Sequence, residues 1–519
     1  MSELWCPHCG TKNRFVRNGS RLDPYNGERL PRLLCNDCGK TTVKPLEFDP
    51  KTNIFEKISK PLPVTNRYVI TAAQNATNVH QPFLDALLQY CKENSAELLV
   101  VPFRYKNPTS TWSKEAKSHD WWHEDLIPFL FCDRVDLNPS LQLLADIRTQ
   151  PTAIKPLTGF TTITGAKSGI LAHPKLQLLS VATPAHKFPK LMTTTGAVTK
   201  DDNYTDTVAG KKGEHHHTLG ACVVEIDGDK FHMRQINALK NGSFIDLDKK
   251  YTKDGVEKAP PAAALIMGDT HVQFADKKVT DATFKGKKSI VSVLQPRTLV
   301  WHDVLDFHSQ NWHDRRKPFA KLAKHIGKID NVETEVRLTC DYINQHTPPG
   351  VKALIVPSNH NEGLTRWIDD HDWKVDPSHM KFYLRTALAM ADSTESQEHG
   401  GWTVDPFHYW AKQWITADAV YLERDQPYTI QGIECGYHGD QGPNGAKGAV
   451  EGFKGIGAKT VIGHSHKPEI GEGCYQVGTN SRLQLSYNTG PSAWLHTDCV
   501  IYANGKRSLI NIIDGDWKL

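Results

Sequence analysis

Five polar clusters in the C-terminal half constrain this 519-residue chain more than anything else in it. They are Gly268-Asp269-Thr270-His271, His302-Asp303-Val304-Leu305-Asp306, Ser358-Asn359-His360-Asn361-Glu362, Tyr437-His438-Gly439 and Gly463-His464-Ser465-His466. Short apolar runs at Ala263–Met267, Thr298–Trp301, Ala353–Val356 and Thr460–Ile462 lead into such loops and read as buried strands. A helical pattern at Val332–Gln345, with Asn331 as its N-cap, precedes the third run. Strand, polar loop, helix, strand is an α/β pattern, and open α/β sheets keep their sites at the carboxyl ends of strands. Beyond His466 the chain reads as β-rich to its end. A lone Asp/His pair is usually a surface accident; five in this placement are not.

In this order the clusters resemble the motifs of the calcineurin-like metallophosphoesterases: DxH, GDxxD, GNH(D/E), a lone His and GHxH. The resemblance spans about residues 262–500. It implies an α/β fold, a four-layer metallophosphoesterase β-sandwich flanked by helices, over residues 259–519. It also implies two divalent metal ions, which can gather phosphate charge, activate water and stabilise the leaving oxygen. By resemblance Asp269, His271 and His466 hold one metal, Asn359, His438 and His464 hold the other, and Asp303 bridges them. Oxygen and nitrogen ligands without thiolate favour Mn2+, ahead of Mg2+, Fe or Zn2+. His360 matches the family histidine that contacts the scissile phosphate, and Asp306 the carboxylate that orients it, so these two are the catalytic candidates. Two departures stand out: His302 replaces the usual glycine before the bridging Asp, and Ser358 the glycine before Asn359. Neither removes a ligand, although the second leaves Glu362 without an assigned role.

The N-terminus carries a second metal signature. Cys6-Pro-His-Cys9 and Cys35-Asn-Asp-Cys38, each followed by glycine, supply the four soft ligands of a structural Zn2+ site. The segment resembles the zinc ribbons of certain bacterial transposases, a resemblance that implies DNA engagement. Its loop holds Lys12, Arg14, Arg17, Arg21, Arg29 and Arg32, suited to phosphate contacts. Arg14 and Arg17, with Arg315 and Arg316 of the basic run His313–Lys317, are the candidate DNA-binding residues.

The intervening text divides into a ribbon at 1–45, a proline-bearing linker at 46–66, and an additional α+β region of unassigned role at 67–258. That region opens with a strand at Tyr68–Ala73, a helix at Pro82–Lys92 and a strand at Glu97–Phe103, then turns β-rich from Thr158 to Ile236. Two decoys are set aside. Gly159–Ser168 has the wrong spacing for a phosphate-binding loop, and Glu214-His215-His216-His217 reads as an exposed loop. The tryptophans Trp367, Trp373, Trp402, Trp410 and Trp414 read mainly as packing, with base stacking as the sharper alternative.

The charge balance, 62 basic against 58 acidic residues, neither demands nor excludes nucleic acid. No apolar run is long enough for a bilayer, no secretory signal opens the chain, and seven cysteines outside the knuckles are scattered singly. The expectation is a cytoplasmic protein, in the host cytoplasm if phage-encoded, with no membrane partner and with homo-oligomerisation left open. A two-metal phosphoesterase joined to a transposase-like ribbon is expected to be a deoxyribonuclease. Its site logic resembles that of SbcD-like nucleases and of the nucleases by which tailed phages destroy host DNA. The alternatives are a protein phosphatase or nucleotide phosphodiesterase whose ribbon docks a protein, and a catalytically silent DNA-binding scaffold.

Overall fold

The computed structural model describes residues 4–6, 11–13, 15–22, 29–42, 60–105, 121–184, 188–395, 404–485 and 488–518. The architecture is mixed α/β. The chain divides into two compact units, one of Met1–Thr183, Lys190–Pro260 and Lys518–Leu519, the other of Pro184–Pro189 and Pro261–Trp517. No helix among the described residues is long and apolar enough to cross a membrane.

In the first unit the N-terminal segment forms an antiparallel sheet of Phe15–Leu22, Arg29–Cys35 and Thr41–Thr42, next to a short ladder of Leu4–Trp5 with Lys12–Asn13. After Cys35 the amide of Gly39 returns to the Cys35 carbonyl at 2.9 Å, with Gly39 at φ +64°. That is a conformation glycine adopts without strain. Cys9 and Arg14 lie outside the described residues.

The strand Arg67–Gln74 runs parallel to Glu97–Phe103, with helix Gln81–Asn94 between them in sequence, each within a residue or two of expectation. Gly220–Asp227 and Lys230–Asn237 extend this sheet antiparallel. Phe83, Leu87 and Tyr90 of the helix pack with Val69, Val100, Val223, Phe244 and Tyr251 in its core. Within this core lies a buried polar set. Arg234 donates to both oxygens of Glu225 at 3.0 and 3.1 Å and to both oxygens of Asp246 at 3.0 and 3.1 Å, and the Tyr90 hydroxyl donates to Asp246 at 3.1 Å. Strands Arg134–Asn138, Leu141–Leu144, Ser168–Leu171, Leu178–Val181 and Lys190–Thr194 pair elsewhere in the unit.

The histidine run departs from the exposed-loop expectation. Val208–His216 is a helix capped by Thr207, and the Tyr204 ring packs so closely that a Cβ on Gly213 would lie 2.7 Å from it. His217 is half-buried, its Nδ1 2.8 Å from the Tyr204 hydroxyl and its Nε2 2.8 Å from the Thr199 carbonyl. Local capping and aromatic packing set this segment, and neither shows in a run of histidines.

In the second unit Ala264–Ile266, Thr298–Trp301, Lys352–Ile355 and Ala419–Tyr421 form a parallel sheet, extended antiparallel by Thr497–Ile501 and Arg507–Asn511. Lys459–Ile462 pairs parallel with Ile433–Glu434 and with Cys474–Gln476, which Glu469–Gly471 joins antiparallel. The inner strands of both groups bury aliphatic centres, among them Leu265, Val300, Leu354 and Val461, as two-sided parallel pairing favours. Helix Val332–His346 starts at Asn331, whose side chain accepts from the Thr334 amide at 2.8 Å. The tryptophans pack rather than project: Trp410 stacks on Phe382 and Trp414, and Trp367 on His371, while Trp402 lies outside the described residues.

Arg234 bonds both Glu225 and Asp246 at full burial, while Arg67, 3.6 Å from Glu225, is more exposed, so losing Arg234 leaves two buried carboxylates short of compensating charge. Arg234→Ala is expected to destabilise the first unit by about 3–5 kcal/mol, read as a lower denaturation midpoint. Arg234→Lys, which cannot reproduce both forks, should recover only part of the loss.

Candidate metal centre

The second unit places its polar clusters where strands end. Gly268–His271 follows Ala264–Ile266, His302–Asp306 follows Thr298–Trp301, and Ser358–His360 follows Lys352–Ile355. His438 follows Ile433–Glu434, and Gly463–His466 follows Lys459–Ile462. Backbone bonds tie these ends together: Thr270 N to His302 O at 3.1 Å, His271 N to Asp303 O at 2.8 Å, and Gly463 N to His438 O at 2.6 Å. Four of the residues so held adopt left-handed backbone: His271 at φ +40°, Asp303 at +46°, His464 at +76° and His466 at +58°. Such conformations cost about 1–3 kcal/mol each in non-glycine residues, and they concentrate where function requires them.

The side chains converge. His271 Nε2 lies 3.0 Å from His466 Nε2 and 3.5 Å from Asp303 Oδ2; His466 Nε2 lies 3.1 Å from Asp269 Oδ2. His438 Nε2 reaches the same Asp303 Oδ2 at 3.4 Å from another direction. One oxygen is thus shared by two imidazoles. One ligand atom each from Asp269, His271, Asp303 and His466 falls within 4.8 Å of the others, as does one each from Asp269, His302 and His438. The His464 ring sits 5.4 Å from that of His438, and the Asn359 Oδ1 is buried without a hydrogen bond.

These residues fit divalent cations. Both oxygens of Asp269, Oδ1 of Asp303, Nε2 of His438 and Nδ1 of His466 are buried without an aligned hydrogen bond. Buried polar atoms are ordinarily paired, so this concentration of unused oxygen and nitrogen donors matches hard and borderline cations. Electrostatics agrees. Burial raises the Asp303 carboxyl, yet His360, His438 and His271 outweigh it and hold it well below its ordinary value. Burial lowers His438, but Asp303 and Asp269 carry it up to about 9.

Asp306 serves two histidines. Its Oδ1 is 2.9 Å from His271 Nδ1 and 3.4 Å from His360 Nδ1, while its backbone carbonyl lies 3.0 Å from His360 Nδ1. The sequence paired it with His360 alone; the structure sets it closer to His271. A carboxylate on the outer nitrogen of a ligating histidine fixes the tautomer that leaves the inner lone pair free. Burial lowers His360, but Asp303 and Asp306 hold it at about 10.

Three placements were not legible in the sequence. His302 lies fully buried inside the cluster, pushed down to about 4 by burial and by His438. Glu335, on the helix Val332–His346, accepts from the amides of His308 and Ser309 at 2.7 and 2.8 Å, fixing the loop beyond Asp306. Arg424 pairs with Asp440 and, at 3.3 Å, with Glu362, which gives that glutamate a partner. None of these contacts carries a local sequence signal.

A cleft of about 670 Å³ opens beside Asn359 and His360, lined also by Trp312, Arg315 and Arg366. Arg315 lies over the half-exposed Trp312 ring at 4.9 Å and 3.6 Å from Asp370; Arg316 is exposed. In the first unit Cys6, Cys35 and Cys38 gather, with Cys6 Sγ 3.7 Å from Cys38 Sγ. Tetrahedral Zn–S bonds of about 2.3 Å set sulfurs about 3.8 Å apart, so the spacing suits zinc. Arg17 stands exposed on the ribbon strand.

No protein-family model matches the chain. It is similar to protein A1 of Escherichia phage T5, with 32% identity over 462 residues, covering 86% of this chain and 82% of that protein. Among solved structures, Chaetomium thermophilum Vps29 bound to a cyclic peptide aligns at 10% identity over 38% of this chain and 97% of its own, with a TM-score of 0.21.

A Cβ on Gly463 would lie 2.3 Å from Asp269 Oδ1. Gly463→Ala must therefore push the Asp269 carboxylate aside, and a drop of at least tenfold in divalent-cation affinity by calorimetry is expected. The denaturation midpoint of the cation-free protein should change little by comparison.

Proposed function

The chain belongs to the family of protein A1 of Escherichia phage T5, and we propose that it is a metal-dependent DNA nuclease, hydrolysing phosphodiester bonds at the centre built on Asp303. One observation carries the reading: Asp303 Oδ2 lies 3.5 Å from His271 Nε2 and 3.4 Å from His438 Nε2, a carboxylate placed between two donor sets. On this reading Asp269, His271 and His466 form one set and Asn359, His438 and His464 the other, in a calcineurin-like four-layer sandwich. Two divalent cations, Mn2+ foremost, would there neutralise phosphate charge and activate water.

The remaining work falls to the chain's own side chains. His360 is raised by Asp303 and Asp306 against the effect of burial, a shift that favours its protonated form. It faces the cleft with its Nδ1 turned to Asp306, so its Nε2–H is the group free to bond a phosphate oxygen or protonate the leaving alkoxide. Asp306 keeps both His360 and His271 in register. Arg315 and Arg366 line the same cleft, where a strand's phosphates would pass. DNA is favoured over other phosphoesters by the ribbon, with its zinc-compatible cysteines and exposed Arg17, and by the phage relative. The host cytoplasm is the natural place of action for such an enzyme.

Asp303→Ala should abolish cleavage of plasmid DNA and reduce cation binding at both sets. His360→Ala should keep both cations and lose about 10²–10⁴-fold in turnover; loss of cation stoichiometry would make His360 a ligand instead.

Deleting residues 1–45 tests the choice of DNA. Hydrolysis of a small phosphodiester should persist, while affinity for long DNA falls and its salt dependence flattens, because fewer counterions are released on binding. DNA binding unchanged after deletion would favour a protein-docking ribbon on a different phosphoesterase.

A further inference from the structure

His302 stands where the metallophosphoesterase motif has glycine, and the mechanism above gives it nothing to do. A glycine's place filled by a histidine, with a buried imidazole, calls for a physical reason. The ring is fully buried at the end of strand Thr298–Trp301, with the Gly463 backbone against it: a Cβ on Gly463 would meet His302 Cγ at 3.4 Å. Its Nδ1 lies 3.4 Å from His438 Nδ1, and the two rings are 5.5 Å apart at 34°. Its Nε2 is buried with no hydrogen-bond partner. A side chain kept only for packing would not carry an unsatisfied buried nitrogen, which costs about 1–3 kcal/mol.

The two nitrogens of His438 have different surroundings. Nε2 faces Asp303 Oδ2 at 3.4 Å, towards the shared carboxylate. Nδ1 faces His302, and the nearest carboxylate oxygen on that side, Asp269 Oδ1, is 3.9 Å away, beyond hydrogen-bond reach. A neutral imidazole has one N–H and one lone pair. To offer the Nε2 lone pair to a cation beside Asp303, His438 must hold its proton on Nδ1, and the acceptor within reach is His302 Nδ1. We infer that His302 is a positioning residue, accepting from His438 Nδ1–H and fixing the tautomer and ring plane in which His438 can bind metal. The arrangement parallels Asp306 on His271 Nδ1 at 2.9 Å. Each of these two histidines then has an outer partner, one a carboxylate and the other an imidazole. The inference rests on the metal reading of the centre.

The test uses the full-length protein, Mn2+ titration by calorimetry and electron paramagnetic resonance, and nitrogen NMR of 15N-histidine protein loaded with Zn2+. In the wild type two cations should bind at the centre, and His438 should report a protonated Nδ1 with Nε2 bonded to metal. His302→Ala should weaken the second cation about 10–100-fold and leave the first unchanged. His302→Asn, whose Oδ1 can accept from His438 Nδ1, should stay near the wild-type affinity. Because the tautomer is read on the wild type, a variant that fails to fold leaves the test intact. Metal on His438 Nδ1, or a His302→Ala protein holding both cations at wild-type affinity, would overturn the inference while leaving the metal centre standing. A wild-type protein that takes up no divalent cation beyond the ribbon zinc would overturn the metal reading and the inference with it.

Discussion

One carboxylate oxygen, Oδ2 of Asp303, organises the second unit. It lies within 3.5 Å of imidazole nitrogens from His271 and His438, which come from loops far apart in the chain. Burying Asp269 and Asp303 side by side costs several kcal/mol per ion before any compensation. What offsets it is a ring of histidines, held at the ends of strands whose central residues are buried. The rigidity of those strands lets four non-glycine residues keep left-handed backbone at the site. The apolar sheet and the charged cluster are therefore one design: the first supplies the constraint, and the second uses it.

The layer outside the cluster follows from the same need. A histidine that must present one nitrogen inwards has to have the other one held. Asp306 does this for His271, and Glu335 in turn fixes the loop after Asp306 through the His308 and Ser309 amides. Burial raises Glu335 to about 7, so its hold on that loop is kept by hydrogen bonds as much as by charge. Arg424 plays a similar part nearby, tying Glu362 of one loop to Asp440 of another.

Much of this was legible in the sequence because it is local. Strand Glu97–Phe103, helix Val332–His346 with its Asn331 cap, and the polar loops after Ala264–Ile266 and Lys459–Ile462 all follow from short-range pattern and capping. The motif residues Asp269, His271, Asp303, His438 and His466 lie together as their order suggested, with His464 beside His438. The contacts that refine the site were not legible. His302 and His438 meet across 136 residues, and His271 and His466 across 195. Asp306 was given to His360 because the motif pairs them, yet only folded geometry shows its shorter contact with His271. The run at 215–217 misled for the opposite reason, since its composition suggested solvent while Tyr204 and Thr199 pull His217 inwards.

The two units make the same physical investment to opposite ends. In the first, Arg234, Glu225, Asp246 and Tyr90 bury charge with all four carboxylate oxygens accepting from the Arg234 guanidinium. In the second, Asp269, Asp303 and Asn359 bury oxygens that no aligned donor satisfies. A satisfied network specifies and rigidifies a core. An unsatisfied one is a standing cost that folding alone does not justify, because replacing such groups with well-packed apolar residues is often neutral or stabilising. Burial of charge is thus no pointer to function by itself. The discriminating quantity is the hydrogen-bonding capacity left unused, and in the second unit it is concentrated around Asp303, where two sets of donors face a common carboxylate.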